Sequence, residues 1–293
     1  QKTAYEIMPS LVGSEMCIRD RDWRTGLKSV RLKANKNLLN SFLESLPFQL
    51  TNSQIRTIDE IVNDINNESP MRRLLQGDVG SGKTVVALSA VAIAIENGYQ
   101  SAFMAPTEVL AEQHLSTVLN LLSSEKAESK LNGHLIKTKM NGTGKDITVG
   151  LLIGSMPEKN KKEIRASIKS GQVDLIVGTH SLIQESVEIP KLALAIIDEE
   201  QRFGVNHKES LKRLRKEVDF LTLSATPIPR TLYMALSGIR DMSTMETPPE
   251  ERFPVKTFVG EYNDEVIKEA ILRELELSLI HISEPTRLGM ISY

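Results

Sequence analysis

The chain has very little cysteine, few aromatic residues and almost no net charge. Cys17 is the single cysteine among 293 residues, which excludes an internal disulfide framework and a thiolate metal site. Aromatic residues make up 4% of the chain and the net charge is −2, so composition gives no sign of a polyanionic partner, although a neutral chain can still hold a basic groove. No apolar run reaches the roughly 20 residues of a membrane span, so we expect a cytoplasmic protein without a membrane partner.

Both ends of the chain resemble translated sequencing-adapter DNA. Residues 11–20 translate one adapter stretch, and residues 277–287 translate the reverse complement of the same stretch. The outermost residues at the two ends match a second adapter in the same mirrored order. We therefore interpret residues 1–20 and 277–293 as non-native and leave them out of the predicted fold. We expect the natural sequence to run from about residue 21 to 276, truncated at both ends.

A complete phosphate-binding loop lies between a predicted strand and a predicted helix. Residues 77–84 read Gly-Asp-Val-Gly-Ser-Gly-Lys-Thr and fit G-x-x-x-x-G-K-[ST] at every fixed position. A short strand at residues 73–76 enters the loop, and an apolar helix at residues 85–95 leaves it, as the motif requires. The predicted cofactor-binding residues of this loop are Gly77, Asp78, Val79, Gly80, Ser81, Gly82, Lys83 and Thr84.

The residue types in this loop suit the chemistry of a nucleoside triphosphate. Glycines allow backbone N–H groups to surround phosphate oxygens, and the N-terminus of the following helix adds a favourable dipole. Lys83 can reach the outer phosphates and is predicted to be catalytic, and the Thr84 hydroxyl can ligate Mg²⁺. We therefore expect ATP and Mg²⁺ as the cofactors.

Apolar β runs alternate with helical stretches from residue 74 onward. The predicted strands lie at residues 101–106, 147–154, 174–179, 192–199, 220–226 and 242–246. Several of them lack polar alternation, as strands do when both faces of a parallel sheet are buried. The βαβα order predicts an α/β fold with a doubly wound, mostly parallel sheet. Residues 123–146, rich in Lys, Ser, Asn and Gly, interrupt this order and predict a surface loop.

A second candidate motif is acidic and ends one of these strands. Asp198 and Glu199 directly follow the apolar run at residues 194–197. An aspartate at the carboxyl end of a strand can hold Mg²⁺ through water opposite Thr84, and the adjoining glutamate can polarise the water that attacks the γ-phosphate. An Asp-Glu pair alone is a common surface dipeptide, but its position after a buried strand predicts both residues as catalytic, with Asp198 and Thr84 as metal ligands.

Three motifs in chain order resemble those of superfamily 2 helicases and translocases. They are Gly-Ser-Gly-Lys-Thr at residues 80–84, Asp-Glu-Glu-Gln at 198–201 and Ser-Ala-Thr at 224–226. Residues 105–114 and 178–182 are similar to motifs Ia and Ib of that family. The resemblance implies a RecA-like P-loop NTPase domain, with ATP bound between this lobe and a second lobe that supplies arginine fingers.

The same resemblance implies roles for residues outside the loop. Gln54 stands where the family places the glutamine that reads adenine; otherwise it would be an exposed residue at a helix start capped by Thr51. Motifs Ia and Ib contact the DNA backbone in that family, although His180 could instead cap the helix that follows it. Phe203 could stack against nucleic acid or lie in the core. The predicted DNA-binding or coupling residues are Pro106, Thr107, Gly178, Thr179, His180, Gln201, Arg202, Phe203, Ser224, Thr226 and Arg230.

The resemblance narrows to the RecG and Mfd group, Mfd being the transcription-repair coupling factor. Residues 202–205 and 225–232 are distinctive of this group. Ser81 favours RecG, since Mfd usually carries a bulkier aromatic there, whereas the two residues after the Asp-Glu pair favour Mfd. We favour a RecG-type ATP-dependent DNA helicase or double-stranded DNA translocase of repair and recombination, with an Mfd-type translocase as the alternative. The mixed signals fit a divergent lineage or a chimera joined within residues 179–198.

The organisation of that group implies domain boundaries and partners for the chain. We expect a linker helix from a missing upstream domain at residues 21–50, the first ATP-binding lobe at 51–246, and the start of a connection to a missing second lobe at 247–276. The expected partners are DNA, that second lobe, and RNA polymerase if the protein is Mfd-like, with little activity from this chain alone. Two other classes stay open: a metabolic P-loop kinase, which gives motifs Ia and Ib no role, and a non-enzymatic interaction fragment.

Overall fold

The structure is a computed structural model that describes residues 32–67, 69–124, 134–184, 187–203, 218–226, 241–245 and 263–276. The chain divides into two units, residues Gln1–Glu251 and Arg252–Tyr293. The described part of the first unit holds a β-sheet with its helices, and the described part of the second unit is a single helix. No helix in these described ranges is long and apolar enough to cross a membrane.

The helices and strands follow one another in the order expected of an α/β chain. The helices of the described residues are α1 (Lys36–Glu44), α2 (Asn52–Ile65), α3 (Lys83–Glu96), α4 (Glu108–Leu122), α5 (Glu158–Lys169) and α6 (Asp264–Glu276). The strands are β1 (Arg72–Gly77), β2 (Gln100–Met104), β3 (Leu135–Lys139), β4 (Asp146–Leu152), β5 (Leu175–Gly178), β6 (Leu192–Asp198), β7 (Asp219–Ser224) and β8 (Asp241–Met245). Short 3₁₀ turns follow β5 at His180–Ile183 and β6 at Glu200–Arg202.

Eight strands of the described residues form one sheet in the order β3-β4-β5-β2-β6-β7-β1-β8. Neighbouring strands run parallel except β3 and β4, which are antiparallel. Strands β2, β5 and β7 are buried along their whole length, as apolar strands are when both faces of a parallel sheet are covered. The predicted doubly wound, mostly parallel α/β fold is therefore confirmed.

Five adjacent parallel strands, β5, β2, β6, β7 and β1, end at the same edge of the sheet. The phosphate-binding loop follows β1, and the motif Ia segment follows β2. Thr179 follows β5, Glu199 follows β6, and Ala225 follows β7. Open α/β sheets bind their ligands outside this carboxyl edge. The topology thus brings together motifs that lie far apart in the sequence.

Helix α1 packs within the first unit, beside the C-terminal end of α3. Asn97 accepts a hydrogen bond from the Lys33 N–H and donates one to the Lys33 carbonyl, both at 3.0 Å. Phe42 of α1 is fully buried. Gly142 has a φ of +74° and lies against α1. A Cβ at this position would lie 2.1 Å from the Ser41 carbonyl oxygen. The close approach of this turn to α1 requires glycine.

The prediction of a surface loop over residues 123–146 is wrong in its second half. Strand β3 lies there and pairs antiparallel with β4. Ile136 and Thr138 of β3 are buried, whereas Lys137 and Lys139 are exposed. This alternation with period two is typical of a strand with one solvated face, but the polar composition of the segment hid it. Residues 125–133 lie outside the described residues.

Buried charged groups fix α2 and the neighbouring strands relative to one another. Arg73 of β1 donates to Asp64 at 2.7 Å and to Glu60 at 2.9 Å, both on α2. Burial disfavours the charged guanidinium, but the hydrogen bond to Asp64 and the charges of both carboxylates outweigh it, so the pKa of Arg73 is raised.

Asp219 of β7 accepts the Met71 N–H at 2.7 Å, and burial raises the pKa of its carboxyl to about 7.

Candidate nucleotide-binding site

The loop after β1 has a backbone that requires glycine at two positions. Gly80 and Gly82 have φ values of +81° and +84°, in the left-handed region that other residues avoid. Gly82 is the N-cap of α3, and no side chain caps that helix. The N-terminus of α3 therefore presents its backbone N–H groups and its dipole to the loop, which suits an anionic phosphate.

The ammonium group of Lys83 donates hydrogen bonds to loop carbonyls, and phosphate oxygens could replace these carbonyls as acceptors. Its Nζ donates to the carbonyl oxygens of Gly77 at 2.7 Å and Asp78 at 2.8 Å. Burial lowers the pKa of Lys83, while the negative charges of Asp198, Glu199 and Asp78 oppose that shift. Strand β6, which ends at Asp198, and strand β1, which enters the loop, both pair parallel with β7, so the acidic strand end and the loop lie at the same edge of the sheet.

The remaining loop residues divide into exposed and buried positions. Asp78, Val79 and Gly80 are exposed, Ser81 is buried, and Thr84 in the first turn of α3 is half-buried. A Mg²⁺ ion that keeps several waters and binds phosphates needs only one or two protein side chains. The Thr84 hydroxyl and the Asp198 carboxylate are oxygen donors of the kind that Mg²⁺ prefers, and the residues present fit the ion. Among the described residues, no group of three or more His, Cys, Asp and Glu side chains forms a separate metal site.

Gln54 both caps α2 and contacts the loop. Its Oε1 accepts the Thr51 N–H at 2.8 Å, while the Thr51 hydroxyl accepts the Gln54 N–H, which is a capping box. Its Nε2 donates to the Ser81 carbonyl at 3.0 Å. Gln54 is only 2% exposed, so the alternative of an exposed residue at a helix start is wrong. Its role toward adenine stays a prediction.

The acidic end of β6 is held by contacts to two other elements. Glu199 has a φ of +49° and is the one non-glycine residue with a positive φ in the part of the chain that the structure describes. Its Oε1 accepts the Ala225 N–H at 2.7 Å, and its own N–H donates to the Leu223 carbonyl at 2.9 Å. Oδ2 of Asp198 lies 2.8 Å from Nε2 of His114 on α4.

The end of β7 is tied to the acidic segment at a second point. The Thr222 hydroxyl donates to Oε2 of Glu200 at 3.3 Å. Beyond β7, the hydroxyls of Ser224 and Thr226 lie 2.9 Å apart, and the Thr226 N–H donates to the Ser224 hydroxyl at 3.2 Å. The predicted coupling segment at Ser224–Thr226 is therefore in contact with the predicted catalytic acid, through the N–H of the residue between them.

Two of the residues predicted to contact DNA have buried side chains. Thr179 is 1% exposed and its hydroxyl lies 3.4 Å from that of Ser181, so its side chain does not face a phosphate backbone. Phe203 is 6% exposed within the hydrophobic core, so of the two alternatives that the sequence left open, the structure favours the core position over stacking. A coupling role for Phe203 stays a prediction.

The other predicted DNA-facing residues lie at the carboxyl edge or outside the described residues. Thr107 and His180 are exposed, and Pro106 is half-buried. Thr107 also caps α4, since its hydroxyl accepts the Leu110 N–H at 3.3 Å. Gly178 is buried against the Leu152 carbonyl, so it serves close packing. Arg202 is exposed; the Gln201 side chain and Arg230 are not described.

Sequence reasoning missed one side chain and one backbone group of the site. His114 contacts Asp198 across 84 positions in the chain, and the Ala225 N–H contacts Glu199 across 26. A signal for His114 was present, because it lies three and four residues beyond Ala111 and Leu110 on the inward face of α4. A polar residue that lies on the inward face of a helix, where that helix follows a strand next to the site, is a candidate partner for the site. The Ala225 N–H could not be found in this way, because every residue type except proline carries a backbone N–H.

A mostly parallel sheet with helices and a phosphate-binding loop at its carboxyl edge is a RecA-like P-loop NTPase fold, as found in helicases. The family model "DEAD/DEAH box helicase" matches residues 51–235, which is more than half of the chain. The chain belongs to the DEAD/DEAH box helicase family. Members of this family use ATP, generally with Mg²⁺.

Two groups of relatives are similar to the chain in sequence or structure. The transcription-repair-coupling factor of Bacillus subtilis (strain 168) is 44% identical over 252 residues, covering 86% of this chain and 20% of that protein. The factor of Staphylococcus epidermidis (strain ATCC 35984) is 46% identical over 236 residues, covering 80% and 18%. The structure of RecG bound to a three-way DNA junction has a TM-score of 0.68 and 37% identity, covering 94% of this chain and 36% of that chain.

A more distant structure supports the fold alone. The DEAD box protein from the hyperthermophile Methanococcus jannaschii has a TM-score of 0.50 and 20% identity, covering 85% of this chain and 63% of that chain. The chain spans about a fifth of the length of the curated relatives it matches. The relationship to both RecG and Mfd is as the sequence motifs predict. The sequence relatives favour the Mfd alternative over the RecG-type prediction.

Proposed function

We propose that this chain is the first nucleotide-binding lobe of an ATP-driven double-stranded DNA translocase of the transcription-repair-coupling type. The observation that carries the proposal is that the phosphate-binding loop with Lys83 and the acidic strand end with Asp198 and Glu199 lie at one sheet edge, because β1 and β6 both pair parallel with β7. The type follows from relatives named transcription-repair-coupling factors at 44% and 46% identity.

Binding of the triphosphate begins at the loop and the N-terminus of α3. The Lys83 ammonium leaves the carbonyls of Gly77 and Asp78 for the outer phosphates, which offer full negative charge in place of neutral acceptors. The Thr84 hydroxyl and the Asp198 carboxylate would be the residues that hold Mg²⁺. When bound, Mg²⁺ supplies positive charge that stabilises the charge developing on the phosphate oxygens.

Hydrolysis requires a residue that orients the attacking water. Glu199 has one carboxylate oxygen fixed by the Ala225 N–H at 2.7 Å, which orients the carboxylate that would polarise the attacking water. The same contact links hydrolysis to the Ser224–Thr226 segment. We expect slow turnover from this chain alone, because an arginine finger from a second lobe is worth about 10³–10⁵ in related phosphoryl transfer.

DNA meets the carboxyl edge of the sheet at Thr107 and His180, which are exposed there. Contacts from hydroxyls and helix N-termini to phosphates position a protein on DNA without reading sequence. We therefore expect sequence-tolerant, salt-sensitive DNA binding by the full-length protein. Contact with RNA polymerase is part of the proposal only through the names of the sequence relatives.

A RecG-type junction helicase is the second candidate. The likeness to RecG on a three-way junction, with a TM-score of 0.68 and 37% identity, favours it, as does Ser81 in the loop. The match of 252 residues to the Bacillus subtilis factor and the likeness to RecG both cross residues 179–198, where a chimera would be joined.

The full-length gene product tests these candidates. DNA-stimulated ATP turnover that is lost in Lys83→Ala supports a DNA motor, and its absence contradicts both candidates. Displacement of a stalled RNA polymerase from duplex DNA supports the transcription-repair-coupling type. Unwinding of a three-way junction without polymerase displacement supports the RecG type instead.

A further inference from the structure

We propose that His114 is a positioning residue that holds Asp198 in the orientation required for the magnesium–nucleotide complex. This inference rests on the proposed function of Asp198 as a metal ligand. It assigns a role to a side chain on α4 that lies outside the loop, the acidic pair and the Ser-Ala-Thr segment.

The contact between His114 and Asp198 has the geometry of a strong hydrogen bond. Nε2 of His114 lies 2.8 Å from Oδ2 of Asp198, and each side chain is 15% exposed. An ionised carboxylate oxygen only accepts hydrogen bonds, so Nε2 carries the hydrogen and donates it. Because both side chains are largely shielded from water, the hydrogen bond is stronger than one made in water.

The imidazole ring is itself held in place. Its centroid lies 4.6 Å from that of Phe103, with the two ring planes tilted by 41°. Phe103 is fully buried on β2, which pairs directly with β6, the strand that ends at Asp198. Ala111 and Leu115, on either side of His114 along α4, are buried as well. The ring therefore cannot turn away from Asp198 without losing core packing.

The hydrogen bond selects one arrangement of the Asp198 carboxylate. With Oδ2 bound to His114, Oδ1 would be the oxygen of Asp198 that acts toward Mg²⁺. Outer partners of this kind fix the orientation of metal-binding carboxylates, and their loss typically weakens metal affinity or activity about 10–100-fold. We expect the effect of His114 on nucleotide binding to require Mg²⁺, because Asp198 acts through the ion.

The test is calorimetry of a non-hydrolysable ATP analogue with the whole chain, in Mg²⁺ and in EDTA. His114→Leu keeps an apolar contact with Phe103 but removes the donor. His114→Gln restores a donor that reaches about as far as Nε2, whereas His114→Asn carries the same amide too short to reach Asp198. Ser116→Ala, on the exposed side of α4, is the matched control. Circular dichroism establishes folding, and His114→Asn replaces His114→Leu as the loss variant if the latter does not fold.

The expected result is about tenfold weaker binding in Mg²⁺ for His114→Leu and His114→Asn, with most of the loss restored in His114→Gln. Binding in EDTA should be the same for all variants. An equal loss with and without Mg²⁺ would mean that His114 only supports the fold, and the inference fails. Unchanged binding of His114→Leu in Mg²⁺ also overturns it, while a parent chain that binds no nucleotide overturns the proposed function instead.

Discussion

The backbone N–H of Ala225 donates a 2.7 Å hydrogen bond to the carboxylate of Glu199. Glu199 needs such support, because its φ of +49° lies in the left-handed region, which costs a non-glycine residue about 1–2 kcal/mol. A second bond, from the Glu199 N–H to the Leu223 carbonyl at 2.9 Å, holds the same turn. The end of β7 thus fixes the predicted catalytic carboxylate, and any shift of that strand end reaches Glu199 directly.

Glu199→Gln should separate nucleotide binding from hydrolysis. The amide oxygen of glutamine can still accept the Ala225 N–H, so folding and nucleotide affinity should be kept. The loss of the carboxylate that polarises water should lower DNA-stimulated ATP hydrolysis by the full-length protein about 10²–10⁴-fold. Phosphate release measures this, with Glu163→Gln on the exposed face of α5 as the control. An unchanged rate would remove Glu199 from the catalytic residues.

Gly82→Ala should damage the nucleotide site, whereas Gly98→Ala should not. Both glycines have a left-handed φ, of +84° and +76°, so each substitution carries a similar backbone cost of about 1–2 kcal/mol. A Cβ at Gly82 would also lie 2.2 Å from Nε2 of Gln54, while a Cβ at Gly98 meets nothing within 4 Å. Urea unfolding should show a larger loss for Gly82→Ala, and calorimetry should show lost nucleotide binding in that variant alone. Equal behaviour of the two variants would contradict the close packing of Gln54 on the loop.

Asp219 should make the stability of the chain fall as pH rises from about 4 to about 7. Burial raises the pKa of this carboxyl from its ordinary 3.8 to about 7, so the folded state binds more protons than the unfolded state across that range. The free energy of unfolding should then drop by up to about 4 kcal/mol, and Asp219→Asn should flatten the change. Urea unfolding at pH 5 and pH 8 measures it, with exposed Asp146→Asn as the control. A parent chain equally stable at both values, like its Asn variant, would show that Asp219 is ionised throughout.

Thr107→Ala combined with His180→Ala should weaken DNA binding by the full-length protein. Each lost hydrogen bond to a phosphate should cost about 1 kcal/mol, or about fivefold in affinity, with no change in sequence preference. Fluorescence anisotropy at several salt concentrations measures the effect. Ser170→Ala is the control, since Ser170 is exposed just before β5 at the opposite edge of the sheet. If the double variant binds DNA as tightly as the parent, the DNA contacts lie elsewhere.

Local patterns predicted the phosphate loop and most of the sheet. The strand, loop and helix around Lys83 are adjacent in sequence, and unbroken apolar runs marked the buried parallel strands. Strand β3 was missed because Lys137 and Lys139 on its exposed face made the segment read as polar. The polar composition of the segment hid the period-two alternation, in which Ile136 and Thr138 are the buried residues.

Contacts across the sheet could not be predicted in the same way. The partners of Asp198 and Glu199 come from other strands and helices, and the Ala225 donor is a backbone group that any residue would supply. The burial of Thr179 was not predicted, and Phe203 stayed open between stacking and the core, because a motif gives residue types but not which way each side chain points. Residues fixed by local spacing were therefore predicted better than residues fixed by tertiary packing.

Binding of Mg²⁺ and ATP by this chain, measured by calorimetry, tests the central claim most directly. The parent should bind, and Lys83→Ala should bind at least about tenfold more weakly, because the charge that faces the phosphates is removed. Lys162→Ala, which removes an equal charge from the exposed face of α5, should bind like the parent. Equal affinity in Lys83→Ala and the parent would contradict the assignment of this sheet edge as a nucleotide site.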